Sequence, residues 1–137
     1  MTDVRLTIEA TTLPGRTCGP YTDVEVGLQV GKDVEHRVGG DASSATWALA
    51  LTRTDDGDWR GPAVQGKRGE RFVYLVWIGR ERGGPTAMFR RAKLQLDAVD
   101  PEVAAGGTLV ARLGLTDGQS MPLCASVRPP LIRWSAE

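Results

Sequence analysis

The chain has 137 residues, 41% hydrophobic and 25% charged, with a formal net charge of zero. That balance suits one globular domain over residues 1–137 and excludes a disordered chain, or one held to nucleic acid or anionic membrane by bulk charge. No apolar run is long enough for a membrane helix and Met1–Arg5 opens no secretory leader, so a cytoplasmic protein is expected, with no membrane partner.

Period-two alternation is the clearest pattern along the chain. Val4, Leu6, Ile8 and Ala10 alternate with Arg5, Thr7 and Glu9, as a half-buried strand requires. Val24, Val26, Leu28 and Val30 repeat the pattern, as do Trp47, Leu49 and Leu51. Asp55-Asp56-Gly57-Asp58 then reads as a turn. Residues 72–78 are apolar at nearly every position, which predicts a strand covered on both faces. Gly83-Gly84-Pro85 supplies the next turn. Residues 88–99 fit a strand through Met88, Ala92, Leu94, Leu96 and Ala98, or a helix through Phe89, Ala92, Leu96 and Val99. The cleaner alternation from Ala92 onward favours the strand. Asp100-Pro101-Glu102 opens a short helix that Gly106-Gly107 ends. Leu109, Ala111, Leu113 and Leu115, then Leu123, Ala125 and Val127, then Ile132 and Trp134, mark further strands, with a hairpin signal at Asp117-Gly118. The expected fold is mainly β: an antiparallel two-sheet sandwich or small barrel of about eight strands with one short helix. The alternative is α+β with residues 88–99 helical.

Several strings together carry a family resemblance. They are Leu13-Pro14-Gly15-Arg16-Thr17-Cys18-Gly19, Ser44-Ala45-Thr46-Trp47, residues 60–66 (RGPAVQG), residues 71–77 (RFVYLVW), residues 88–94 (MFRRAKL) and the closing stretch from Pro122 to Trp134. In that order the set resembles a family of small actinobacterial domains of unknown function. The resemblance implies a bacterial cytosolic origin and carries no activity.

Charge is unevenly placed. Between Arg60 and Lys93 nine cations face only Glu70 and Glu81. This basic middle is either a binding face or a set of internal ion pairs between strands, and pairing is the commoner use of such charges. Cys18 and Cys124 are too few for a disulfide framework and are expected as free thiols. The single histidine, His36, excludes a multi-histidine metal site and reads as a solvated loop residue. No phosphate-binding loop, dinucleotide fingerprint or serine elbow is present, so neither a metal nor a cofactor is expected. Asp55, Asp56 and Asp58 lack the spacing of a calcium loop. Cys124 lies among apolar neighbours and reads as an inert thiol rather than a nucleophile.

What remains is a set of rings and cations on or near strands. Trp47, Tyr74, Trp77, Arg90, Arg91 and Arg128 are the candidate ligand-binding residues, lining a cleft for a small anionic or aromatic organic molecule. Whether the chain is an enzyme stays open. A cofactor-free acid/base reaction would draw on Asp97, Glu70 and Tyr74, none of which the sequence marks out. A third reading is a protein-interaction module using residues 60–93, with Arg80, Arg82, Arg90 and Lys93 facing outward. A protein partner or a homodimer fits either binding reading, and the zero net charge argues against nucleic acid.

Overall fold

In chain order the strands are β1 (Thr2–Thr12), β2 (Tyr21–Val30), β3 (Asp33–Gly39), β4 (Ala45–Arg53), β5 (Trp59–Arg60), β6 (Phe72–Glu81), β7 (Thr86–Gln95), β8 (Thr108–Gly114) and β9 (Ile132–Ser135). This is a computed structural model, and it describes residues 1–114 and 132–136. A five-stranded sheet has the order β5-β4-β1-β8-β9 and a four-stranded sheet the order β3-β2-β6-β7. The mainly β, two-sheet expectation holds. One detail departs from a purely antiparallel sandwich: β1 and β8 pair in parallel, from Arg5↔Thr108 onward. Parallel neighbours need a long crossover, and here β2 to β7 supply it.

The alternation that predicts the strands also builds the core. Val4, Leu6 and Ile8 of β1, Trp47 and Leu51 of β4, and Leu109, Ala111 and Leu113 of β8 turn inward from the larger sheet. Val24, Val26 and Leu28 of β2, with Val73, Leu75 and Trp77 of β6, meet them from the smaller one. Trp47 donates its indole N–H to the His36 carbonyl at 2.7 Å, so a ring from the larger sheet is pinned to β3 of the smaller.

Residues 88–95 belong to a strand, and the chain then tightens into a 3-10 turn at Leu96–Ala98. The helix expected after Asp100 is one turn, Pro101–Ala104, capped by the Asp100 side chain accepting from the Glu102 N–H at 2.8 Å. His36 sits not in a loop but on β3, at a positive φ of 52° where the β2–β3 register shifts. Strand β3 escaped the sequence reading because its only apolar residues are Val34 and Val38, four apart rather than two. Cys18 is buried and held in a disulfide, not free; sequence spacing says nothing about which thiols folding brings together. The other cysteine, Cys124, lies outside the described residues, as do the Asp117-Gly118 hairpin and the strand expected at Leu123–Val127. Among the described residues no helix is long and apolar enough to cross a membrane.

Candidate functional site

Strand β6 runs through the middle of the four-stranded sheet, and its side chains alternate between the core and the sheet's outer face. Val73, Leu75 and Trp77 point into the core. Phe72, Tyr74, Val76 and Ile78 therefore point outward. Outward does not mean exposed: Val76 is 0% and Ile78 2% accessible. This is the strand covered on both faces that residues 72–78 predict.

The cover comes from neighbouring strands. Lys93 of β7 lies opposite Tyr74, and its Nζ sits 4.2 Å from the centre of the Phe72 ring. Arg91 lies opposite Val76, and its guanidinium sits 4.7 Å from the centre of the Tyr74 ring. Each cation thus leans along the sheet onto the ring of the next pair, a diagonal that long side chains reach. On the other flank the absent side chain of Gly27 makes the room. A Cβ there would meet Val34 Cγ1 at 2.4 Å and Arg37 Cγ at 3.4 Å, so those two side chains close over β2. Lys32, Asp33, Val34, Arg37, Ile78 and Met88 line a depression of about 380 Å³ on this flank. Met88 is 47% exposed, one of the few large apolar side chains so open. Gln29, beside Val34, is buried; its Nε2 donates to the Gly31 carbonyl while its Oε1 meets no donor among the described residues.

A bulge in β7 separates the candidate residues. The register shifts between Trp77↔Arg90 and Ile78↔Met88, leaving Phe89 as the extra residue. Phe89 stacks on Tyr21 with centroids 3.9 Å apart. The two rings meet across Gly79, where a Cβ would come within 3.1 Å of Phe89 Cε1. Arg90 follows on the inner side, 5.9 Å from the Trp77 ring, and its partial burial lowers its pKa. Arg91 then emerges on the outer face.

The six sequence candidates are therefore divided. Trp47 and Trp77 are core residues, 2% and 1% exposed, with Arg90 at their rim. Tyr74 and Arg91 are in contact on the outer face. Arg128 lies outside the described residues. Phe72, Lys93, Lys32 and Arg37 join the outer-face set although the sequence reading did not name them for a ligand. The signal for Lys93 was present: Arg91 and Lys93 alternate with Ala92 and Leu94, so they share the face opposite the core. Of the cations expected to face outward, Arg80, Arg82 and Lys93 are exposed and Arg90 is half-buried. Arg80 is tied down, donating to the Gly84 and Gly83 carbonyls at 2.9 and 3.3 Å.

The acid/base candidates are not assembled into one centre. Asp97 accepts the Arg71 backbone N–H, Glu70 sits exposed in the turn before β6, and Tyr74 lies under Arg91. The strongest electrostatic feature is structural. Asp58 is buried, receives Arg71 Nε at 2.9 Å and Nη2 at 3.1 Å, and accepts the Trp59 N–H at 2.9 Å. The paired guanidinium holds its carboxyl down at about 2. This fork joins the turn before β5 in one sheet to the start of β6 in the other. Among the described residues no group of His, Cys, Asp and Glu could hold a metal ion.

Two packed sheets whose smaller member carries rings roofed by cations define a β-sandwich protein with one differentiated face. The chain belongs to DUF5990, a family of unknown function, whose model matches residues 4–137. No curated protein and no solved structure matches it.

Proposed function

We propose that the protein is a binding domain that takes an anionic ligand on the outer face of the four-stranded sheet. The observation that carries this reading is the coincidence of rings and cations there: Arg91 over Tyr74 and Lys93 over Phe72, with no carboxylate in salt-bridge reach of either cation among the described residues. Two cations of the same basic stretch do pair, Arg68 with Asp56 at 2.7 Å and Arg71 with Asp58 at 2.9 Å. Arg91 and Lys93 thus keep their charge available to an incoming anion, and the rings below them fix where that charge stands. The filled core between the sheets favours this outer face over a cleft lined by Trp47 and Trp77.

Binding is favoured over acid/base catalysis for a chemical reason. The carboxyls whose titration shifts, Asp56 and Asp58, are both held lower, which keeps them ionised and makes them poor proton carriers near neutrality. The cytoplasmic location read from the sequence has the Cys18 disulfide against it, because such bonds are rare in a reducing cytosol.

Titration of isotope-labelled protein with citrate, adenosine triphosphate and a short acidic peptide, read by amide chemical shifts, tests the reading. Shifts concentrated at residues 72–78, 91–93 and 32–37 are expected. Shifts confined to other strands, or none with any of the three probes, remove it.

A further inference from the structure

The proposed anion-binding face ends at the edge of β7, and the edge carries the same charge. Among the described residues β7 pairs only with β6, so no described strand covers its other side. Its sequence, TAMFRRAKLQ, contains three cations and no acid. The bulge at Phe89 spoils regular pairing at the start of the strand, leaving residues 91–95 as the regular part.

Side chains two apart on a strand project from one face about 6.6–6.8 Å apart. Arg91 and Lys93 therefore repeat at the interval at which an added strand would set carboxylates on alternate residues. An added strand lies about 4.8 Å from its neighbour, within reach of both cations. The other described edges differ. Strand β3 mixes Asp33 and Glu35 with Arg37, β9 carries a single cation, Arg133, and the stretch of β4 that β5 leaves open, residues 45–51, carries no charge. The charges on β7 also decide against a second copy of itself: two such edges would bring Arg91 and Lys93 against their own kind. Cations on an edge often serve only to block pairing. Here they would block a like-charged strand and admit an acidic one.

We propose that residues 91–95 of β7 accept an extended acidic peptide of a partner protein as an additional strand, its alternate carboxylates paired with Arg91 and Lys93. This rests on the anion-binding reading of the same face and names its partner class. The complex would be held by backbone hydrogen bonds and selected by charge, the division of labour usual in strand addition.

The test uses the full chain and a fluorescein-labelled heptapeptide alternating Glu with Thr and Val, followed by anisotropy at low salt. Three probes accompany it: the same peptide N-methylated on alternate backbone nitrogens, its Lys-for-Glu counterpart, and a thymidine dodecamer. Binding of the parent, weakened about tenfold or more by N-methylation, absent for the Lys peptide and lost in the Arg91→Glu/Lys93→Glu double variant, is the expected result. Equal binding of the parent and N-methylated peptides overturns the strand addition while leaving the anion face intact. Binding of the dodecamer alone overturns the peptide in favour of a nucleic-acid strand. Binding of none of the probes overturns both readings. If the double variant fails to fold, the comparison of parent and N-methylated peptides on the unaltered protein still decides.

Discussion

The two outer faces of the sandwich are built by the same alternation and come out differently. On the five-stranded sheet the outward residues of β4 are Thr46, Ala48, Ala50 and Thr52, small and level. One cation there is paired: Arg112 reaches Glu9 at 3.0 Å and Ser135 Oγ at 3.0 Å, across β1, β8 and β9. A shallow groove of about 720 Å³ crosses this face between Arg5 and Pro62, floored by Ala48 and Ala50. On the four-stranded sheet the outward residues of β6 are Phe72, Tyr74, Val76 and Ile78, and the cations above them rest on rings rather than on carboxylates. One face is flat and small-residued, and ties Arg112 to a carboxylate of its own sheet. The other is a second, thinner apolar layer under Arg91 and Lys93, which meet no carboxylate among the described residues, and it is this surface that the proposed binding uses.

A charge placed under each face should separate the two most strongly. Val76→Asp puts a carboxylate at a position with 0% exposure, and should cost about 2 kcal/mol or more, because the ion loses its water and reaches a cation only by drawing Arg91, its cross-strand neighbour, off the Tyr74 ring. Ala48→Asp, at an exposed position of the other face, should change stability by no more than about 0.5 kcal/mol. Urea denaturation of both variants measures the pair. Equal small effects would mean that the outer layer over β6 is open to water and not a layer at all.

Much of this was legible from residue types alone. The alternation of β1, β2, β4 and β8 marked their inward faces, and the unbroken apolar run of residues 72–78 announced the double burial of β6. Edge strands were not legible. Strand β3 carries Asp33, Glu35, His36 and Arg37 in seven residues because most of it meets water, and β5 is two residues long, stabilised by partners the sequence cannot display. The candidate site was half legible for a related reason. Tyr74 and Trp77 are three apart on one strand, so parity alone assigns them to opposite faces. Arg90 and Arg91 are adjacent and divide in the same way. Grouping them by residue type merged a core pair with a surface pair. The bulge at Phe89, which sets the phase of β7, depends on the Tyr21–Phe89 stack across Gly79 and leaves no mark in the alternation.

The joint between the sheets gives an intermediate effect with a defined pH signature. The Asp58 carboxyl, paired with Arg71, titrates at about 2 in the folded protein against an ordinary 3.8. The folded chain therefore binds fewer protons than the unfolded chain between these values. The stabilisation is fully present above about pH 4 to 5 and drains away as the pH falls through 3.8 toward 2. Asp58→Asn should melt lower than the unaltered protein at pH 7, with the gap narrowing below pH 4. Melting curves from pH 7 to pH 2 check this. A gap constant down to pH 2 would assign the loss to the backbone contact with Trp59 instead of to the ion pair.

The smallest effect distinguishes the two faces by what holds their cations. Glu9→Gln removes the carboxylate from Arg112, in a pair whose side chains are 40% and 41% exposed, and should cost about 0.2–1 kcal/mol. Arg91→Met keeps the stem over Tyr74 and removes the charge, for a loss of about 0.5–1 kcal/mol. The two costs overlap in low salt, so stability alone cannot separate them. Salt can. The Glu9–Arg112 pair is exposed and Coulombic, so the destabilisation by Glu9→Gln should shrink as sodium chloride approaches 1 M, where the screening length is about 3 Å. The Arg91 guanidinium meets the Tyr74 ring at close contact, with no carboxylate paired to it among the described residues, so the cost of Arg91→Met should persist at that salt. If both costs vanish together, Arg91 is held by a carboxylate rather than by the ring, and the proposed binding face loses its available cation.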